Sequence, residues 1–315
     1  MRRYSGVLML LSILGLAGAL AYGTADFFGG LASRRITAMP TSAIAAAAGL
    51  TALALTLPWL GGEWSASAVG LGVLAGLAGA VALPLLYASL ALGPMSILSP
   101  LTAVVSALVP MTVGLARGES LSPIGYGALG LALIAVVLVG FVPEKGAVRP
   151  SLRGILMAIG SGAAIGVFLI LIDLTPEDSG VNPLIVGRAV NAAIMAAAAV
   201  LIWRIGVRRA GGKWVGRTMS DGGAGSVAAH PRTLSPAVRT GVLLAMLGGF
   251  CDACANVLIL IGLRLGELSV MSVLVAMYPA GTILLAALVL RERIAPVQWL
   301  GLALALVAAG LLALG

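Results

Sequence analysis

Residues 93–123, GPMSILSPLTAVVSALVPMTVGLARGESLSP, and residues 266–296, GELSVMSVLVAMYPAGTILLAALVLRERIAP, decide the fold of this 315-residue chain when laid side by side. Gly93 and Gly266, Ser96 and Ser269, Ser99 and Ser272, Glu119 and Glu292, and Pro123 and Pro296 all keep a shift of 173. Alanine and leucine coincide by chance in so apolar a chain, but a Glu and a Pro matching at one shift mark an internal repeat. Each copy is an apolar run near the roughly 20 residues of one bilayer crossing. It lacks the period-2 alternation of a barrel strand and is about twice as long. The run therefore reads as one membrane-crossing helix, present twice.

Working outward, helices are expected at about 7–31, 40–60, 69–92, 96–116, 122–142, 154–174, 183–204, 240–263, 267–290 and 296–314. Nearer the start of each copy the shift is 143, from Gly23 to Gly166 and from Pro40 to Pro183. The shift grows where the second copy carries the polar stretch 204–239. Residues 1–145 and 150–315 thus form two five-helix units, the second holding a flexible basic loop at 204–239. An odd number of crossings per unit turns the units in opposite directions, the inverted-repeat design of many secondary transporters. The expected fold class is an all-α membrane protein of about ten transmembrane helices in two inverted five-helix repeats.

Composition agrees: 60% of residues are hydrophobic, 10% are charged, and mean hydropathy is +1.12. An average soluble domain is roughly 25% charged. The net charge of +8 comes from Lys and Arg between and beside the apolar runs, a topology pattern and not a nucleic-acid surface. Most of the loop cations fall on the side of 34–35, 145–153 and 204–239, which places both termini outside. Arg2 and Arg3 before an apolar stretch, with Ala19-Leu20-Ala21, mimic a signal peptide. The run continues past residue 28 and carries Asp26, so it is kept as helix 1.

Charges inside apolar helices cost roughly 2.5–3.5 kcal/mol each at the helix centre. Tyr22 and Asp26 on helix 1, Arg188 and Asn191 on helix 7, and Asp252 and Asn256 on helix 8 are each one turn apart, so three helices present a polar pair on one face. One reading is a shared polar cavity in which Arg188 holds an anionic group and Asp26 or Asp252 binds a proton or an amine. The other is a structural Arg188–Asp252 ion pair locking two helices, with Asp26 at the membrane interface. Tyr87 and Tyr278, with Tyr22, could add ring and hydroxyl contacts or serve as interface anchors.

Pro84, Pro100, Pro110 and Pro279 fall within expected helices and invite kinks. Gly72/Gly76 and Gly162/Gly166 permit close helix approach. Glu119 and Glu292 are expected at loop turns with a structural role, with Arg117, Arg291 and Arg293 as partners. Cys251 and Cys254 lack a second pair for a zinc site and read as small packing residues. His230, the single histidine, excludes a histidine-rich metal centre. Gly211-Gly212-Lys213 misses a P-loop because Trp214 follows, and no Ser/His pair suggests an enzyme.

The chain outside 204–239 resembles the drug/metabolite transporter (DMT) superfamily, specifically the EamA-type ten-helix proteins with two EamA repeats. The resemblance rests on Ala21-Tyr22-Gly23-Thr24-Ala25-Asp26-Phe27-Phe28-Gly29-Gly30, on Gly118-Glu119 with Pro123, and on Tyr278-Pro279 with Arg291-Glu292-Arg293 and Pro296. It departs in having Tyr22 where a Trp often precedes the helix 1 glycine. A helix 2 arginine is missing too, with Arg188 as its second-half counterpart. The resemblance implies efflux or uptake of metabolites, amino acids or drugs by alternating access, without a bound cofactor, and export is the expected direction. It also implies termini inside, against the loop charges. The expected setting is the cell (inner) membrane as a multi-pass protein. The expected partners are a small-molecule substrate, the lipid bilayer and a coupling proton or ion, with no nucleic acid. The candidate substrate-binding residues are Tyr22, Asp26, Tyr87, Arg188, Asn191, Asp252, Asn256 and Tyr278. A non-transporting membrane scaffold or subunit, or an integral-membrane enzyme, is the alternative.

Overall fold

A computed structural model describes residues 2–92, 95–140, 151–215, 236–291 and 295–314. The helices are α1 (Arg2–Ile36), α2 (Ala38–Leu60), α3 (Ala66–Leu92), α4 (Met95–Ala116), α5 (Pro123–Gly140), α6 (Leu152–Asp173), α7 (Asn182–Val215), α8 (Pro236–Leu265), α9 (Leu268–Val275), α10 (Tyr278–Val289) and α11 (Pro296–Leu314). A single 3-10 turn, Glu177–Ser179, lies before α7. The protein is an all-α membrane protein. Six spans, counting α9 and α10 together, are long and apolar enough to cross a bilayer, and four shorter apolar helices accompany them among the described residues. Their outer surfaces expose Trp59, Leu152, Leu288 and Leu306, side chains suited to lipid contact and not to water.

Two boundaries differ from expectation. The expected helix 267–290 is divided into α9 and α10 at Ala276–Met277. Pro279 is the second residue of α10, where its missing N–H is tolerated, and it leaves the Val275 carbonyl without its i+4 donor. Pro84, Pro100 and Pro110, by contrast, sit inside unbroken helices. The basic stretch expected as loop from 204 begins as helix, because α7 continues to Val215. Residues 216–235, with His230, lie outside the described set, as do Lys145, Arg149, Glu292 and Arg293.

Contacts between chain turns fix the directions of the helices. At one end, Val181 N–H donates to Leu60 O and Glu63 N–H to Asp178 O. There Arg264 also bonds Thr175 and Pro176, and Arg117 bonds Asp173 at 2.6 Å. We call this the tied end. At the opposite, far end, Gly241 at the start of α8 meets Arg35 and Ile36 at the end of α1. Consecutive crossings therefore alternate in direction. The principal interfaces come in exchangeable pairs: α1 on α8 and α3 on α6, α2 on α8 and α3 on α7, α4 on α6 and α1 on α9–α10, with α2 on α7, α4 on α9 and α5 on α11 between equivalent members.

Small residues bring these helices together. A methyl group at Gly72 would lie 2.7 Å from Pro183 O, and one at Gly162 would lie 2.6 Å from Thr102 O. Both GxxxG pairs thus mark crossings, of α3 with α7 and of α4 with α6. Buried hydroxyls and an amide add cross-helix bonds: Thr102 Oγ1 to Ala158 O, Ser161 Oγ to Ala82 O and Gln298 Nε2 to Val139 O. Such donors are retained because no water competes for them in the bilayer core.

Candidate transport cavity

The close α3–α7 crossing sets Arg188 one residue after Gly187, which lies against the backbone of Gly72 and Gly76. From α7 the guanidinium passes Gly49 of α2, whose bare Cα leaves the Arg188 Nε 3.6 Å from where a methyl would stand. It ends on the Asp252 carboxylate of α8 in a charge-assisted hydrogen bond. Asn256, one turn along α8, donates from Nδ2 to Asp252 Oδ2 at 3.1 Å and to Asp252 O at 2.8 Å. Its Oδ1 accepts from the Tyr22 hydroxyl of α1 at 3.0 Å. One continuous chain therefore links α1, α8 and α7.

That chain lines a cavity of about 150 Å³. Asp26, Asn191 and Tyr278 line it too, as do Ser106, Phe168 and Ser272. Asp26 is exposed and has no ion pair or side-chain hydrogen bond among the described residues. Asn191 is 7% exposed and likewise has no side-chain partner among them. The rest of the lining includes the apolar side chains of Leu53, Leu83, Leu86, Ile165 and Leu169. Of the expected site residues, seven line one space. Tyr87 lies on α3, and its side chain is outside the described set. Arg188 and Asp252 form an ion pair, and both residues line the cavity.

Chemically, the site offers a cation already matched by a carboxylate, a second carboxylate without a counter-charge among the described residues, two phenols, and an apolar wall. The volume takes a guest about the size of a benzene ring. No group of three or more His, Cys, Asp or Glu side chains assembles among the described residues. Cys251 and Cys254 are free thiols, each partly exposed.

Three contributions escaped the sequence reading. Ser106 and Ser272 line the cavity, and the 99/272 repeat pair had flagged Ser272 only as a symmetry marker. Arg117 pairs with Asp173 and not with Glu119, because Glu119 is engaged elsewhere. Its carboxylate accepts from the N–H groups of Leu268 at 2.9 Å and Ser269 at 3.0 Å, and so caps α9. The expected structural role at the turn thus acquires a partner that spacing could not name.

Residues 152–314 match the EamA-like transporter family. No curated protein matches the chain. A solved structure described only as "Crystal structure of protein" is similar in fold, with a TM-score of 0.68 and 16% identity over 96% of this chain and 97% of its own.

Proposed function

The chain belongs to the EamA-like transporter family, within the drug/metabolite transporter superfamily, and on that premise we propose that it moves one small solute by alternating access, most naturally as an exporter in the cell (inner) membrane. In this reading 1–145 and 150–315 are two inverted five-helix repeats, and the solute site lies where they meet. The observation that carries the reading is the cavity itself, lined by both parts of the chain and holding the Tyr22–Asn256–Asp252–Arg188 network. Polar groups at membrane depth are costly unless they face such a space.

Tyr22, Asp26, Arg188, Asn191, Asp252, Asn256 and Tyr278 are assigned to solute binding, with Tyr87 on the neighbouring helix. The assigned roles follow from charge and reach. An anionic group on the solute competes with Asp252 for Arg188, and an amine or coupling proton binds Asp26. Asn191 is a free donor and acceptor, while Leu53, Leu83 and Phe168 cover an apolar body. Displacement of Asp252 would release Asn256 and Tyr22 together, so occupancy is felt on α1.

A stabilisation screen of the purified protein against anionic, cationic and zwitterionic solutes tests this reading. Thermal shifts from anionic solutes should vanish in Arg188→Ala, and those from cationic solutes in Asp26→Asn. The same hits in all three proteins would remove these residues from the site and favour a scaffold whose Arg188–Asp252 pair is purely structural.

A further inference from the structure

The ninth crossing is two helices, α9 and α10, joined by a tighter turn at Ala276–Met277. α9 is a separate eight-residue helix, buried along its whole length, and its junction with α10 at Ala276–Met277 is weakened by Pro279. Ser272 and Val275 of α9 form part of the cavity wall. At the opposite end of α9, the anchor is supplied by another segment of the chain, Glu119 in the turn between α4 and α5.

Glu267 is the residue placed to cap α9 from within. Its φ of −81° and ψ of 138° are the extended values of a helix N-cap, yet its side chain makes no capping bond. Glu119 occupies the amides instead. The displaced Glu267 leaves Oε2 buried without a partner, an arrangement that native structures rarely keep without a reason. Burial first, and then the neighbouring Glu119 carboxylate, raise the Glu267 carboxyl above its ordinary value. The cations nearby are engaged: Arg117, in the turn after α4, with Asp173 of α6, and Arg264 of α8 with Thr175 and Pro176.

We propose that α9 is the gate at the tied end and that it opens by exchange of caps: Glu119 releases the amides of Leu268 and Ser269, Glu267 takes that of Ser269 as an N-cap side chain does, and α9 pivots about Ala276–Met277 with its portion of the cavity wall. The exchange keeps the helix N-terminus capped at Ser269 in both arrangements, so opening frees only the first amide, that of Leu268. Glu119 and Glu267 are positioning residues that act through α9, and the inference rests on the transport reading above. Its pH sense follows from the raised carboxyl. A proton on Glu267 goes with the closed arrangement, which is favoured fully below the ordinary carboxylate range. As pH on the tied side rises through the raised value, Glu267 ionises beside Glu119 and the closed arrangement loses that advantage.

The test uses the full chain in oriented proteoliposomes, with Cys251→Ala and Cys254→Ala as background and Ser106→Cys as a reporter in the cavity wall. A membrane-impermeant maleimide is applied to either face across the carboxylate range up to neutrality. The background must label from both faces; labelling from one face under every condition overturns alternating access itself. Given two-faced labelling, Glu119→Gln should raise the tied-face rate several-fold relative to the far face. Glu267→Gln should lower that rate and flatten its pH profile, and Glu119→Asp should restore part of the parent behaviour. A ratio unchanged in both glutamine variants overturns the gate and leaves the transport reading intact. Where Glu119→Gln does not fold, Glu267→Gln decides alone, and a pH profile superposable on the parent's overturns the gate.

Discussion

At the scale of single residues, Arg188 shows how one side chain depends on several others for its cost to be bearable. Its guanidinium is brought to the cavity by Gly187 against Gly72 and Gly76, passes Gly49, and is matched by Asp252. The side chains of the pair are 16% and 26% exposed, so they are desolvated in part and lose most when one partner is removed. Arg188→Ala is expected to destabilise the detergent-solubilised protein by on the order of 3 kcal/mol, because Asp252 is left charged beside apolar walls. Arg188→Met combined with Asp252→Leu should recover most of that loss while abolishing solute-induced stabilisation. A melting series on Arg188→Met, Asp252→Leu and the double measures the coupling, and equal melting for Arg188→Ala and the double variant would contradict it. These residues could be picked out because charge is rare in this chain. What spacing could not say was that Asn256 and Tyr22 join the same network, since they lie on helices far apart in sequence.

At the scale of elements, the ninth crossing departs most from a uniform helix. The sequence marks Pro279 as a helix disruptor, yet Pro100 and Pro110 are equally good candidates and leave α4 continuous. The difference is position: Pro279 falls in the first turn of α10, so the chain can restart there, and Met277 N–H closes a tighter turn onto Leu274 O at 3.2 Å. Pro279→Ala returns a donor to the Val275 carbonyl and should fuse α9 with α10. The expected result is a higher melting temperature with slower solute flux in proteoliposomes. Unaltered flux in a stabilised variant would show that the break is incidental. The extent of α7 was legible only in part, because Gly and Arg beyond residue 204 suggested loop while helix continues to Val215. Local helix formers among them and continuity with a stable span outweigh the weak breakers.

For the whole molecule, alternating crossings place the chain start, the turns near 61–65, 117–122, 174–181 and 266–267, and the end of α11 at the tied end. Arg34 and Arg35 at the end of α1, Arg153 at the start of α6 and Arg204, Arg208 and Arg209 near the end of α7 gather at the far end, so the far end should face the cytoplasm. A reporter fused after Gly315 is therefore expected to be active only in the form that functions outside the cytoplasm, and activity of the cytoplasmic form would reverse the orientation. The all-α membrane fold, the approximate limits of its helices and the rarity of charge within them were determined by the sequence, because a bilayer imposes length and apolarity on each span separately, and those are local properties. Only the tertiary structure decided that Arg188 reaches Asp252 across α2, that Glu119 caps a helix 149 residues away from it, and that seven polar candidates share one cavity. Those facts depend on which helix faces cross, and that is settled by glycine contacts and hydrogen bonds between segments whose separation along the chain carries no information about their separation in space.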